Sequence, residues 1–150
     1  MKSPSMRSIN ILLVEDNEDD IFIIRKIFEK ANVTNMLNVV RRGEEALDYI
    51  NHRGKYAEEK PPTPGLVLLD IMMPGLNGFD VLKELKASPK HKKIPVVMLT
   101  TSNREEDIVK SFENGACSYI TKPISFDRFF EVIKQFKIYW TMVSKIPNGY

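Results

Sequence analysis

The sequence predicts an α/β fold, a parallel sheet covered by helices on both faces. Three observations point there. Short apolar runs recur along the chain, as buried strands do. Segments with apolar spacing near 3.6 residues separate them. Five such alternations fit within 150 residues, a length suited to one domain.

Residues 9–14, 66–69 and 96–99 are almost wholly apolar, the mark of strands buried on both faces. Leu37–Val40 and Ser118–Thr121 are shorter, more mixed runs that complete a set of five. Between the first two, Ile21, Ile24, Ile27 and Phe28 make one helical stripe, with Arg25, Lys26 and Glu29 facing away. Asp16 or Asn17 is placed to cap that helix. Further helices are expected at 44–50, 79–87 and 104–114, the last followed by Gly115, where a left-handed residue often ends a helix. Ser125 is placed to cap a final helix. Right-handed crossovers then favour a flavodoxin-like, doubly wound sheet of order 2-1-3-4-5. The expected division is a tail at 1–8, one domain at 9–137, and an extension of the last helix plus tail at 138–150. The connection 52–65 is long, charged and carries Pro61, Pro62 and Pro64.

Composition narrows the function classes. Lys and Arg number 22 against 20 Asp and Glu, a net charge of +2, which lacks the basic excess of a nucleic-acid binder. A single cysteine, Cys117, cannot form an internal disulfide and fits a reducing, cytoplasmic compartment. No apolar run reaches the roughly 18 residues of a membrane span. The run after the basic start stops at Glu15, so no signal peptide and no membrane partner are expected.

The polar residues at strand ends carry the chemistry. Glu15 and Asp16 follow strand one, Asp70 ends strand three, Thr100 ends strand four and Lys122 follows strand five. Open parallel sheets bind ligands beyond the carboxyl ends of their strands, at the switch between strands one and three. Two carboxylates about 5 Å apart repel by roughly 3 kcal/mol at an effective dielectric near 20. Three therefore call for a cation. Oxygen ligands with room for water favour Mg²⁺, and Lys122 supplies a second positive charge.

Four segments make the pattern specific: Leu12-Leu13-Val14-Glu15-Asp16, Asp70-Ile71-Met72-Met73-Pro74 with Gly78 beyond, Val97-Met98-Leu99-Thr100, and Tyr119-Ile120-Thr121-Lys122-Pro123. In this order, on these strands, the chain resembles a two-component response-regulator receiver domain over residues 9–136. The resemblance implies that Asp70 is the phosphoacceptor, forming an aspartyl phosphate. It implies Mg²⁺ held by Asp16, Asp70 and the Met72 carbonyl, with Glu15 acting through water. Lys122 would pair with phosphoryl oxygens, Pro74 and Gly78 would shape the turn after Asp70, and Lys122–Pro123 would be a cis peptide. A Thr100 hydroxyl drawn to the phosphoryl group would leave room for Tyr119 to turn inward and repack the face of helix four, strand five and helix five. Met72, two residues after the acceptor, cannot position an attacking water, so a long-lived phosphoryl state is expected.

The last segment repeats Phe129, Ile133, Phe136, Trp140 and Val143 at heptad-like spacing, and these residues are expected at an interface. With the 52–65 connection, it resembles small stand-alone receivers that partner phytochrome-type histidine kinases. A homodimer through the fourth and fifth helices is expected, and no output domain. Such a chain assists its own phosphorylation and dephosphorylation, and turns over no external substrate.

Several competing readings are weaker. Residues 16–20 suggest a calcium loop, but Ile21 stands where glycine is needed and Ile27 where a bidentate Glu belongs. A flavodoxin would need phosphate-binding donors after strand one, and the acids there repel phosphate. No Gly-x-Gly-x-x-Gly follows that strand for a dinucleotide. A pseudo-receiver that binds partners without phosphorylation is countered by Asp16, Asp70, Thr100 and Lys122. His52 and His91 lack a second metal ligand and are expected in solvent, the 90–93 turn is expected as plain surface, and Cys117 is expected to be buried.

Overall fold

In a computed structural model, residues 10–31, 36–101 and 104–134 are described. Five strands, β1 (Ile11–Val14), β2 (Leu37–Val40), β3 (Leu66–Asp70), β4 (Val96–Thr100) and β5 (Ser118–Thr121), form one parallel sheet of order β2-β1-β3-β4-β5. Five helices join them: α1 (Glu18–Lys30), α2 (Gly43–Asn51), α3 (Gly78–Ala87), α4 (Glu105–Glu113) and α5 (Phe126–Ile133). The predicted strand order and helix count hold, and the sheet pairs Leu12 with Val67 and Leu68 with Val97 at its centre.

Period-two alternation splits the strand side chains between two cores. Ile11, Leu13, Leu66, Leu68, Val97, Leu99 and Ile120 pack with the apolar stripe of α1 and with Phe129, Val132 and Ile133 of α5. Leu12, Val14, Val67, Leu69, Val96 and Met98 pack on the other face against Ala46, Ile50, Val81 and Leu82 of α2 and α3. At about 25 cal/mol per Å² of buried apolar surface, this two-sided burial is the main force holding the sheet between its helix layers.

Caps set the helix starts. Asn17 accepts from the Asp20 N–H of α1, and Ser125 accepts from the Arg128 N–H of α5. Asn77 and Asp80 close a reciprocal capping box at α3. At the amino-terminal edge of the sheet, buried Asn10 donates to the Tyr49 hydroxyl at 2.7 Å and to the Pro62 carbonyl at 3.1 Å, and it also contacts Asn38. Tyr56 donates to Glu45 from a short 3-10 turn, Gly54–Tyr56, that the sequence pattern does not reveal. The long connection is thus pinned to α2.

Three expectations are corrected. Phe129 and Ile133 are buried in the domain's own core, so neither offers surface to a partner; Phe136, Trp140 and Val143 lie outside the described residues. His91 is buried, because its turn folds the ring inward beside the Ser88 hydroxyl at 3.2 Å. Cys117 is exposed, at the entry to edge strand β5, where its N–H donates to the Val96 carbonyl.

Candidate functional site

The alternation that builds the cores also builds the site. Continued one step past the apolar residues, it carries Glu15, Asp70 and Lys122 onto the α1 and α5 face at the carboxyl ends of β1, β3 and β5. Glu15, Asp16 and Asp70 bring one carboxylate oxygen each within 4.8 Å of one another. The Lys122 ammonium lies 2.7 Å from Glu15 Oε1, 2.8 Å from Asp20 Oδ2 and 3.3 Å from Asp70 Oδ1. Its side chain is only 8% exposed, so these ion pairs are shielded from water. Asp16 is exposed at the mouth of the cluster.

Burial pushes the Glu15 carboxyl up to about 7, against the lowering contact with Lys122 and with the Asp70 carboxylate adding to the rise. Burial works against charge on Lys122 as well, but the Asp20 and Glu15 carboxylates outweigh it and hold the ammonium above its ordinary value. Glu15 Oε1 is buried and makes no directed hydrogen bond beside that ion pair. A cluster of three converging carboxylates, more than its one lysine can neutralise, fits a hard divalent cation.

The loop after β3 is held at both ends. The Ile71 N–H donates to Leu99 O and the Gly78 N–H to Ile71 O, while Ile71 and Met73 are buried. The Met72 N–H donates to Asp70 Oδ1 at 3.3 Å, and its side chain is 71% exposed. Gly78 must be glycine: a Cβ there would stand 2.4 Å from the Asp70 carbonyl oxygen. Pro74 is exposed in the same loop, and Lys122–Pro123 is cis. A cavity of about 580 Å³ opens beside the cluster, bounded by Ile71, Met72, Phe79, Thr100 and Arg104.

Thr100 is buried at the end of β4, on the opposite face from Asp70 by the same alternation, which is also the face of Tyr119. The Tyr119 ring is half-buried, edge-on to Phe112 at 6.1 Å and under the Arg128 guanidinium at 5.9 Å. Helix α4 buries only Ser111, leaving Val109 and Phe112 exposed beside β5.

Sequence reasoning missed Asp20 as a partner of Lys122. Its one sequence signal is a place among the first-turn acids of α1, Glu18, Asp19 and Asp20. That signal is visible only once Lys122 is known to sit there.

An open 2-1-3-4-5 sheet with carboxylates and a lysine at its switch point defines a receiver. Residues 11–134 match the response regulator receiver domain family, and the chain belongs to it. It is similar to the response regulator Rcp1 of Synechocystis sp., with 34% identity over 91% of this chain and 92% of that one. Among solved structures it resembles the bacteriophytochrome response regulator AtBRR (41% identity, 88% and 94% of the two chains, TM-score 0.78). It also resembles the phosphorylated cyanobacterial phytochrome response regulator RcpA (38% identity, 88% and 93%, TM-score 0.74). Among the described residues no helix is long and apolar enough to cross a membrane.

Proposed function

We propose that this chain is a single-domain response regulator that accepts a phosphoryl group on Asp70 from a sensor histidine kinase. The observation that carries this reading is an Asp70 carboxylate oxygen within 4.8 Å of those of Glu15 and Asp16, with Asp70 Oδ1 3.3 Å from the Lys122 ammonium. An Asp70 carboxylate oxygen attacks phosphorus of the phosphohistidine. The O–P bond forms as the N–P bond breaks, and the imidazole leaves with that electron pair and takes up a proton. Lys122 pairs with the developing negative charge on the phosphoryl oxygens, and the Met72 N–H steadies Asp70.

Asp16 and Asp70, with the Met72 carbonyl and Glu15 through water, are the residues that would hold Mg²⁺. When bound, the ion neutralises charge between carboxylate and phosphoryl group. The Thr100 hydroxyl donates to a phosphoryl oxygen, and Tyr119 follows it inward, changing the exposed α4–β5 surface around Val109 and Phe112. That surface, with α5, is the one we assign to a homodimer and to downstream proteins. Two relatives are named as phytochrome or bacteriophytochrome response regulators, which favours a phytochrome-type kinase as donor, and we assign the exchange to the cytoplasm. The apolar Met72 beside the acceptor favours a long-lived phosphoryl state.

The test is incubation with acetyl phosphate and Mg²⁺. One phosphoryl group is expected by intact mass, lost on Asp70→Asn or on chelation. An unmodified wild-type chain makes the protein a phosphorylation-independent interaction module instead.

A further inference from the structure

The Lys122 ammonium carries three protons, and three carboxylate oxygens surround it. Two contacts are short, Glu15 at 2.7 Å and Asp20 at 2.8 Å, and the one to Asp70 is longest at 3.3 Å. Asp20 is not among the carboxylates that converge as a divalent-cation cluster, which comprises Glu15, Asp16 and Asp70. Its part in the site therefore runs through Lys122.

The two helix starts of identical spacing in this fold show what Asp20 gives up. At α3, Asn77 accepts from the Asp80 N–H at 3.0 Å and Asp80 Oδ2 accepts from the Asn77 N–H at 3.1 Å, so the box closes both ways. At α1, Asn17 accepts from the Asp20 N–H at 3.0 Å, but the return half is missing. The Asn17 N–H donates to Glu15 Oε2 at 3.1 Å instead, and the Asp20 carboxylate reaches Lys122 with its side chain 17% exposed. A capping partner has been diverted into the site.

We propose that Asp20 is a positioning residue for phosphoryl transfer: with Glu15 it anchors the Lys122 ammonium so that its third proton faces the group arriving on Asp70. This rests on the reading of Asp70 as phosphoacceptor. During transfer the long contact to Asp70 is the one exchanged for a phosphoryl oxygen, while the two short contacts hold the ammonium still. Without Asp20 a flexible four-carbon stem is tethered by Glu15 alone.

The test compares wild type, Asp20→Ala and Asp20→Asn, the last retaining an acceptor oxygen and the side-chain shape. With acetyl phosphate and Mg²⁺, Asp20→Ala is expected to be phosphorylated about tenfold more slowly, as a displaced charge-stabilising group implies, and Asp20→Asn within about threefold of wild type. Mg²⁺ affinity by calorimetry should stay within about twofold, since Asp20 acts on the lysine. In metal-free protein, the ¹⁵N signal of the Lys122 ammonium should be sheltered from exchange in wild type and lost in Asp20→Ala. Wild-type rates in Asp20→Ala, a persisting ammonium signal, or an equal fall in Mg²⁺ affinity would each overturn the proposal. A wild-type control that takes no phosphate defeats the phosphoacceptor reading alone, because the ammonium signal still decides whether Asp20 anchors Lys122.

Discussion

Replacing Gly78 with alanine sets a favourable effect against an unfavourable one. Gly78 is the first residue of α3, and alanine there gains up to about 1 kcal/mol of helix propensity. The added Cβ would lie 2.4 Å from the Asp70 carbonyl oxygen and 2.8 Å from the Ile71 Cα, whereas ordinary contact begins at 3.4 Å. Both obstacles are backbone of buried residues, so no side chain can swing aside and the chain must move by about 1 Å. Overpacking of this kind costs about 1–3 kcal/mol, and the rigidity of the obstacle puts it at the upper end. The net loss is about 2 kcal/mol, a fall in Tm of about 4–8 °C for a chain of this size. The displaced segment begins at Asp70, so phosphorylation should slow by about a hundredfold, as a 1 Å misplacement of reacting groups can. Gly65→Ala is the control, because its Cβ would meet only Asn10 O, at 3.8 Å. Thermal melts and phosphorylation rates on both variants decide the matter. A Gly78→Ala protein that melts within about 1 °C of wild type and accepts phosphate normally refutes the steric argument.

Removing the ammonium with Lys122→Met should cost about 3 kcal/mol in metal-free protein by urea unfolding, at the low end for an orphaned buried charge because Glu15 can take up a proton; added Mg²⁺ should restore part of it, and an unchanged midpoint would contradict the ion-pair assignment. Burial first, then the charges of Lys90 and His52, lower the His91 imidazole below its ordinary value. The unfolded chain therefore binds more protons on acidification, and stability is lost as pH falls below about 6.5. The stability gap between wild type and His91→Asn should accordingly shrink between about pH 7.5 and 5, and a gap that widens would reverse the sign. Asn10→Ala should cost about 1–3 kcal/mol and open the 52–65 connection to limited proteolysis, while phosphorylation at the opposite sheet edge stays unchanged; a slowed phosphorylation would show the two ends to be coupled.

Much of this molecule is written in its sequence because the sheet obeys a simple rule. Continuous apolar runs mark β1, β3 and β4, and period two then dictates which neighbours share a face, so Glu15, Asp70 and Lys122 were bound to meet. Asn17 and Ser125 cap their helices as their hydrogen-bonding chemistry requires. What escaped depends on tertiary placement. Asp20 reads as an ordinary first-turn acid until β5 delivers Lys122 to it. His91 looks solvated amid lysines, yet its tight turn folds it inward against Ser88. The heptad-like stripe is a single pattern in sequence, but its first members, Phe129 and Ile133, are consumed by the core against α1.

The most direct trial is a crystal structure with Mg²⁺ and beryllofluoride. It should show the adduct on Asp70, the ion on Asp16 and Asp70, and the Lys122 ammonium moved onto a fluorine while still paired with Asp20. An Asp70 carboxylate left bare and still facing Lys122, with the ion elsewhere or missing, would contradict the assignment of this cluster as a phosphoryl-accepting site.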